Sequence, residues 1–260
     1  EKCREVVCQM AEMSKDSFIA SLGLMQNFDK NIAADIRESE NTVDVYEDKA
    51  STYLVHLAGS KLSDSDSREV TKLLRVVSEL LHIIGDVERI SDHSVNVIEV
   101  AQEIHDKNIV FSERAQREIK VISDAVCEIL DLAMTALKDE DRAAAKKVEP
   151  LEQTIDKLKY DIKNNHIERL RDGKCTMEMG FVLSDFLTNC ERVSDHCSNI
   201  AVCILEMAHN SLETHEYLSH VKMTAKTTFL KNMMNTEKNT NYNLRYLPQN
   251  EQYQQLKSCR

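Results

Sequence analysis

Apolar residues recur every three or four positions along most of the chain, which is the pattern of amphipathic helices. Val6, Met10 and Met13 share one face of the first such stretch, and Val77 and Ile84 share one face of a later stretch. The pattern predicts six helices, over residues 3–28, 30–58, 68–106, 113–138, 141–171 and 176–209. Residues 211–260 lose this period and are rich in Asn, Gln, Thr and Lys, so we expect a partly helical tail there.

Few residues of the kind that form turns interrupt these stretches. The chain contains five Gly and two Pro, whereas sheet folds need a turn every few residues. The Ser- and Asp-rich segment 59–67 breaks the period before the third helix, and Ser112 is placed to cap the fourth. Pro150 lies in the early turns of the fifth helix, and Gly173 follows its end, as glycine commonly does. Composition and pattern together predict an all-α fold.

Two segments of the chain repeat. Glu88-Arg-Ile-Ser-Asp-His93 returns as Glu191-Arg-Val-Ser-Asp-His196, an offset of 103 residues. A weaker match relates Glu40-Asn-Thr-Val-Asp44 to Glu152-Gln-Thr-Ile-Asp156, an offset of 112 residues. Because three helices can bury three apolar stripes against one another, we expect two tandem three-helix bundles. Their predicted bounds are residues 1–107 and 108–210, followed by a basic polar tail over residues 211–260.

Each half of the chain carries two Glu-x-x-x-Asp pairs, one on its second predicted helix and one on its third. Residues four apart share a helix face, and at about 100° per residue all four pairs border the apolar face. Where the borders of two helices meet, four carboxylates would lie in one partly desolvated groove, in which like charges repel. A multivalent cation would reverse that cost. The candidate metal ligands are therefore Glu40, Asp44, Glu88, Asp92, Glu152, Asp156, Glu191 and Asp195.

Oxygen-only ligands suit Mg²⁺, Mn²⁺, Ca²⁺ or iron and are less typical of structural zinc. An ordinary solvated acidic face is the alternative for any single pair, and four matched pairs on the same flank favour the metal. Glu47 and Asp48 are another phasing of the first motif, which the offset of 112 residues disfavours. Asn96 and Asn199 extend the carboxylate edge by one turn and could orient ligands.

The repeat also carries basic residues on its outer edge. Arg89, His93, Arg192 and His196 are expected to point away from the apolar faces, the histidines as surface or interface residues rather than ligands. Because this edge occurs in both halves, it suits docking against a pseudo-symmetric partner or a second copy of the chain, as in a homodimer.

Two Glu-x-x-His segments have the spacing of di-iron oxidase ligands. They are Glu79 with His82 and Glu206 with His209, at positions that the repeat does not relate, and the first is expected to face solvent. Coincidence is the preferred interpretation. The sequence has no Gly-rich loop, no nucleophile signature and no zinc spacing. We therefore name no catalytic residue and expect that the protein is not an enzyme.

Charge and cysteine usage exclude further classes. A formal net charge of −11 would repel phosphate backbones, which disfavours nucleic acid as a partner. Eight Cys without C-x-x-C spacing are typical of thiols in a reducing cytoplasm rather than of a disulfide framework. No apolar stretch approaches the roughly 18–20 residues of a membrane span. The chain begins at Glu1 inside an amphipathic pattern, as expected of a domain cut from a longer protein.

The duplicated Glu-Arg-x-Ser-Asp-His and the Glu-x-x-Val/Ile-Asp motifs resemble those of the PhoU family. The similarity is to the PhoU-like cytosolic region at the C-terminus of bacterial sodium–phosphate cotransporters and covers about residues 3–210. Tyr53-Leu54 and Leu62-Ser63 are similar to this fused type. The usual family motif has Gly where Ser91 and Ser194 stand here, which keeps the carboxylates and changes the packing beside them.

The resemblance implies tandem three-helix bundles whose carboxylate motifs hold multinuclear clusters of iron or other divalent ions, with the eight carboxylates above as ligands. It implies control of phosphate transport and homeostasis rather than catalysis. The implied partners are the membrane domain of a phosphate transporter and, for free-standing relatives, a sensor kinase. The chain would lie in the cytoplasm, attached to the inner face of the membrane through an upstream transporter domain. The alternatives are a free-standing PhoU-type regulator and a carboxylate di-metal oxidase, which would need His ligands opposite the carboxylates.

Overall fold

The computed structural model describes residues 2–59 and 67–208, and within these ranges it contains six helices and no strand. The all-α prediction is therefore confirmed. The predicted tail over residues 211–260 and most of the Ser- and Asp-rich segment lie outside the described residues. The helices are α1 Lys2–Leu24, α2 Lys30–Gly59, α3 Ser67–Asp106, α4 Glu113–Asp139, α5 Arg142–Arg171 and α6 Met177–Ala208.

The first helix ends four residues before its predicted end. The backbone N–H of Gln26 donates to the carbonyl oxygen of Gly23 in a turn, at 3.2 Å. Asp29 then caps α2 by accepting a hydrogen bond from the backbone N–H of Asn31 at 2.7 Å. Met25 and Phe28 still pack against a small apolar cluster after the helix has ended. The apolar period therefore continues through a turn, and the period alone overestimated the length of α1.

Two of the other predicted helix ends carry the expected caps. Ser112 accepts a hydrogen bond from the backbone N–H of Ala115 at 3.3 Å at the start of α4. Gly173 adopts a φ of 68°, the left-handed region that glycine enters without steric cost. The N–H of Lys174 donates to the carbonyl of Arg169 at 2.9 Å, and that of Gly173 to Leu170 at 3.0 Å. This pair of bonds is the Schellman motif, so α5 ends where the sequence predicted.

Both halves of the chain contribute to one hydrophobic core. Helices α1, α2 and α3 pack against one another, and α4, α5 and α6 do the same. The largest helix–helix contact joins α3 to α6, and α1 also contacts α4. The core continues across these contacts, from Phe18 and Ile83 to Leu130 and Phe186. All six helices belong to one compact unit, and the domain boundaries at residues 107 and 210 stay a prediction.

Within residues 2–59 and 67–208, no helix combines the length and the apolar character needed to cross a membrane. The seven cysteines in this part of the chain are free thiols. Cys190 and Cys197 are fully buried, so they behave as small apolar core residues.

Ser91 and Ser194 occupy equivalent positions of the repeat, and both are 0% exposed. The hydroxyl of Ser194 donates to the carbonyl oxygen of Glu191 at 2.8 Å. The hydroxyl of Ser91 has no hydrogen-bond partner among the described residues. A buried hydroxyl without a partner costs about 1–3 kcal/mol. The same residue at related positions therefore contributes differently to the stability of the two halves.

We expect Ser91→Ala to raise the free energy of unfolding by about 1 kcal/mol, because it removes an unpaired buried hydroxyl. The matched variant Ser194→Ala should lower it by about 0.5–1 kcal/mol, because it removes a hydrogen bond. Urea unfolding of both variants and of the wild type, in chelator, measures the difference. A destabilised Ser91→Ala, or a shift of the same sign in both variants, would contradict this account.

Candidate metal centres

The first carboxylate group lies where α2 packs beside α3 and consists of Glu40, Asp44, Glu88 and Asp92. One carboxylate oxygen from each of Glu40, Asp44 and Asp92 lies within 4.8 Å of the others. Glu40 and Asp92 are partly buried, and Asp44 is exposed. Glu88, one turn before Asp92, shares a hydrogen bond with it. The predicted Glu40–Asp44 phasing is therefore the one that brings α2 carboxylates to the carboxylates of α3.

Like charge dominates the electrostatics of this group. Burial raises the pKa of Glu40, and the charges of Asp44 and Asp92 raise it further. Burial also raises the pKa of Asp44, again with a contribution from Asp92. Burial, followed by Asp92 and Asp44, raises the pKa of Glu88 to about 7, against the opposing charge of Arg89. Near neutral pH Glu88 is therefore only partly ionised, and a bound cation would compete with its proton.

The second carboxylate group lies between α5 and α6 and consists of Glu152, Asp156, Glu191 and Asp195. Oxygens of Glu152, Asp156 and Asp195 lie within 4.8 Å of one another. Burial raises the pKa of Asp156, and the charges of Glu191 and Asp195 add to that effect. Burial and Glu191 likewise raise the pKa of Asp195. The three positions match Glu40, Asp44 and Asp92 of the first group, so the repeat brings equivalent carboxylates together in both halves.

A lysine distinguishes the second group from the first. The ammonium of Lys159, which is on α5, contacts the carboxylate of Glu191 directly. It also opposes the rise in the pKa values of Asp156 and Asp195. The offset of 112 residues places Glu47 at the corresponding position of α2, where it accepts a hydrogen bond from Ser51 at 3.0 Å. The second group therefore has a positive charge beside its carboxylates at the position where the first half of the chain has another acid.

The donor set of both groups fits a hard or borderline divalent cation. All four positions of each group supply carboxylate oxygens, the ligands that Mg²⁺, Mn²⁺, Ca²⁺ and iron accept. The raised pKa values of Glu40, Glu88, Asp156 and Asp195 all result from burial and neighbouring carboxylates, a cost that a bound cation would remove. Metal binding at the eight residues stays a prediction.

Solvent reaches the second group through a cavity of about 580 Å³. Glu152 and Asp195 line it together with the guanidinium groups of Arg89 and Arg192. Both arginines are exposed, as expected, and Arg192 pairs with Asp195 at 3.4 Å. An ion could therefore enter the second group without opening the helix packing.

The histidines of the repeat lie in the contact between α3 and α6 of the same chain. The His93 ring donates from Nδ1 to Asn189 Oδ1 at 2.8 Å, and the His196 ring donates from Nδ1 to Asp86 Oδ1 at 2.8 Å. The two ring centroids lie 5.7 Å apart. Asp86 and Asn189 are themselves related by the offset of 103 residues, so the contact has approximate two-fold symmetry.

This arrangement corrects the expected placement of the two histidines. They were expected to point outward as surface or interface residues, and the structure pairs them in a contact within one chain. Docking of the basic edge against a second copy or another partner stays a prediction. Burial lowers the pKa of His93, which favours the neutral ring in this contact. The missed signal is that the repeat relates positions 86 and 189, which are both polar and which both lie about two helical turns before the motif histidine of their own half.

The structure also corrects the expectation for Glu79. Glu79 was expected to face solvent with His82, but it is only 9% exposed because it lies against α6. His82 lies with Glu79 and Cys203 rather than with either carboxylate group, and His209 lies outside the described residues. The di-metal oxidase alternative required His82 or His209 opposite the carboxylates, and His82 does not provide that ligand.

The chain is similar to proteins with a named role in phosphate transport. A phosphate-specific transport system accessory protein PhoU homolog 1 from Thermotoga maritima is 24% identical over 222 residues, which cover 81% of this chain and 90% of that protein. A PhoU homolog of the same description from Zymomonas mobilis is 21% identical over 198 residues, covering 76% of this chain and 80% of that protein.

Solved structures share the fold. PhoU from Pseudomonas aeruginosa aligns with a TM-score of 0.72 at 18% identity, over 80% of this chain and 96% of that chain. The phosphate transport system regulatory protein PhoU from Streptococcus pneumoniae aligns with a TM-score of 0.68 at 15% identity, over 81% of this chain and 95% of that chain. The PhoU domain model matches residues 7–101 and 119–204, one segment in each half of the repeat. The chain therefore belongs to the PhoU domain family.

Proposed function

We propose that the chain is a metal-binding regulator of phosphate transport that acts by binding rather than by catalysis. The observation that carries the proposal is the pair of carboxylate groups, placed at equivalent positions of the two halves and held in mutual repulsion. The relatives described as phosphate-specific transport accessory proteins support the link to phosphate uptake. The two parts of the proposal are independent: metal binding rests on the geometry, and phosphate transport on the family.

In each half, the carboxylates of two helices would hold the metal. Glu40 and Asp44 of α2 would act with Glu88 and Asp92 of α3, and the second group would do the same between α5 and α6. Iron or another divalent ion, as a single ion or a cluster, would supply positive charge there. The protein's own contribution is to hold the oxygens close together on packed helices, so that little ordering is needed when the ion binds. Metal occupancy would then stiffen the α2–α3 and α5–α6 contacts.

Two settings for such a regulator differ in what precedes residue 1. A free-standing regulator is supported by the descriptions of the relatives, which name an accessory protein of a phosphate transport system. Attachment to a sodium–phosphate cotransporter is supported by the similarity of Tyr53-Leu54 to the fused type. The coding sequence upstream of Glu1 separates them, because only the second requires transmembrane helices there.

Regulation would work through a preference for one state of a partner. A protein that binds one conformation of a transporter more tightly shifts the transporter toward that conformation. The partner would be the membrane domain of a phosphate transporter, with a sensor kinase as a second partner in the free-standing setting. Both settings place the chain in the cytoplasm, next to the inner face of the membrane.

Metal should stabilise the protein through its carboxylates. Adding Mn²⁺ or Fe²⁺ to chelator-treated protein should raise the melting temperature, because a ligand of the folded state stabilises it by mass action. Without metal, Asp92→Asn and Asp195→Asn should melt at or above the wild-type temperature, since each removes like charge. With metal, both should gain less than the wild type, because each has lost a ligand.

Glu99→Gln is the control for this experiment, because Glu99 is an exposed acid on α3 outside both groups. It should respond to metal as the wild type does. If several divalent ions at millimolar concentration leave the wild-type melting temperature unchanged, metal binding is excluded while the family assignment stands. Equal metal responses in the wild type and in both Asn variants would assign any bound metal elsewhere.

The metal-free protein should lose stability as the pH rises between about 4.5 and about 7, because the pKa of Glu88 is raised from 4.5 to about 7. In that window the folded state binds more protons than the unfolded state, so the free energy of unfolding decreases with pH. Urea unfolding in chelator across this range measures the slope. Glu88→Gln should flatten it, whereas an unchanged slope would mean that Glu88 titrates normally.

A further inference from the structure

A second kind of ligand set lies in the contact between α3 and α6. An oxygen of Glu79, a ring nitrogen of His82 and the sulfur of Cys203 all lie within 4.8 Å of one another. Glu79 and His82 are three residues apart and share a face of α3, and α6 brings Cys203 to that face. The three side chains supply oxygen, nitrogen and sulfur, in contrast to the all-oxygen carboxylate groups.

Two members of this cluster are buried, and the third is exposed. Glu79 is 9% exposed and Cys203 is 8% exposed, whereas His82 is exposed. The Cys203 thiol shares a hydrogen bond with the Glu79 carboxylate, and burial together with Glu79 raises the pKa of that thiol. A cation that entered past the exposed imidazole would displace the thiol proton and pair with both buried groups.

We propose that Glu79, His82 and Cys203 bind one zinc ion that links α3 to α6. Thiolate, imidazole and carboxylate are the three ligand types that zinc takes, and three protein ligands with one position left for water are a known zinc arrangement. Of the ions suited to the carboxylate groups, Mg²⁺, Mn²⁺ and Ca²⁺ accept thiolate poorly. The two kinds of site would therefore select different metals in the same chain.

The repeat separates this site from the carboxylate groups. The offset of 103 residues relates Glu79 to Val182, His82 to Asp185 and Cys203 to Val100. The other half therefore has no equivalent ligand set at these positions. A zinc ion here would be single and asymmetric, and it would tie the third helix of one half to the third helix of the other.

Cobalt provides the test, because a Co²⁺–thiolate bond gives an intense charge-transfer band in the near ultraviolet and a Co²⁺–carboxylate bond does not. The full chain, reduced and stripped of metal, should develop the band with about one equivalent of Co²⁺, and Zn²⁺ should remove it by displacement. Cys203→Ser should abolish the band. His82→Ala should weaken Co²⁺ binding by at least about tenfold, equivalent to about 1.4 kcal/mol.

Matched controls identify the site. Cys127→Ser, Cys259→Ser and the exposed-histidine variant His56→Ala should each keep the band and the affinity of the wild type. His82 is exposed, so His82→Ala should fold even if Cys203→Ser disturbs the core. A wild-type protein without the band, a band that survives Cys203→Ser, or an unchanged affinity in His82→Ala would overturn the zinc site.

The carboxylate variants keep this result separate from the proposed function. Asp92→Asn and Asp195→Asn should leave the thiolate band unchanged, because neither residue belongs to the cluster. If those variants lose metal-dependent stabilisation while the wild type shows no thiolate band, the zinc site fails and the carboxylate sites stand. If the band appears and Mn²⁺ stabilises the carboxylate variants as much as the wild type, the carboxylate sites fail and the zinc site stands.

Discussion

The packing of α3 against α6 determines where every functional side chain can lie. The two helices are in contact, and both contribute buried residues to the shared core, such as Ile83 and Ile90 on α3 and Phe186 and Val193 on α6. The flank of α3 that carries its Glu-x-x-x-Asp pair then lies beside α2, and the corresponding flank of α6 lies beside α5. Carboxylates on the edge of a packed face cannot move far apart, so burial and repulsion act on them together.

Much of this arrangement could be predicted from the sequence, because helix period and repeat spacing are local properties. The period located six helices, and two offsets located four carboxylate pairs, with Glu40 and Asp44 chosen over Glu47 and Asp48. The end of α1 was missed because Met25 and Phe28 remain apolar and packed beyond the last helical turn. The apolar period of the sequence indicates which side chains are buried. It does not indicate where the backbone hydrogen bonds of the helix end.

The features that the sequence did not predict are contacts between helices that are distant along the chain. Nothing near Glu191 in sequence shows that Lys159 reaches it from the neighbouring helix. The burial of Glu79 likewise depends on α6, whose Cys203 lies more than a hundred residues further along the chain. A helical wheel gives the direction in which each side chain points from its own helix. Which side chain of another helix lies in that direction depends on the whole fold.

The symmetric contact of His93 and His196 has a consequence for how the two halves associate. In a dimer of separate three-helix units, the equivalent contact would form only above some protein concentration, and every substitution would appear on both sides of the axis. Here one chain supplies both sides, so the contact forms at any dilution. The two sides of the contact can also differ in sequence. The partner of His196 is the carboxylate of Asp86, whereas the partner of His93 is the uncharged amide of Asn189.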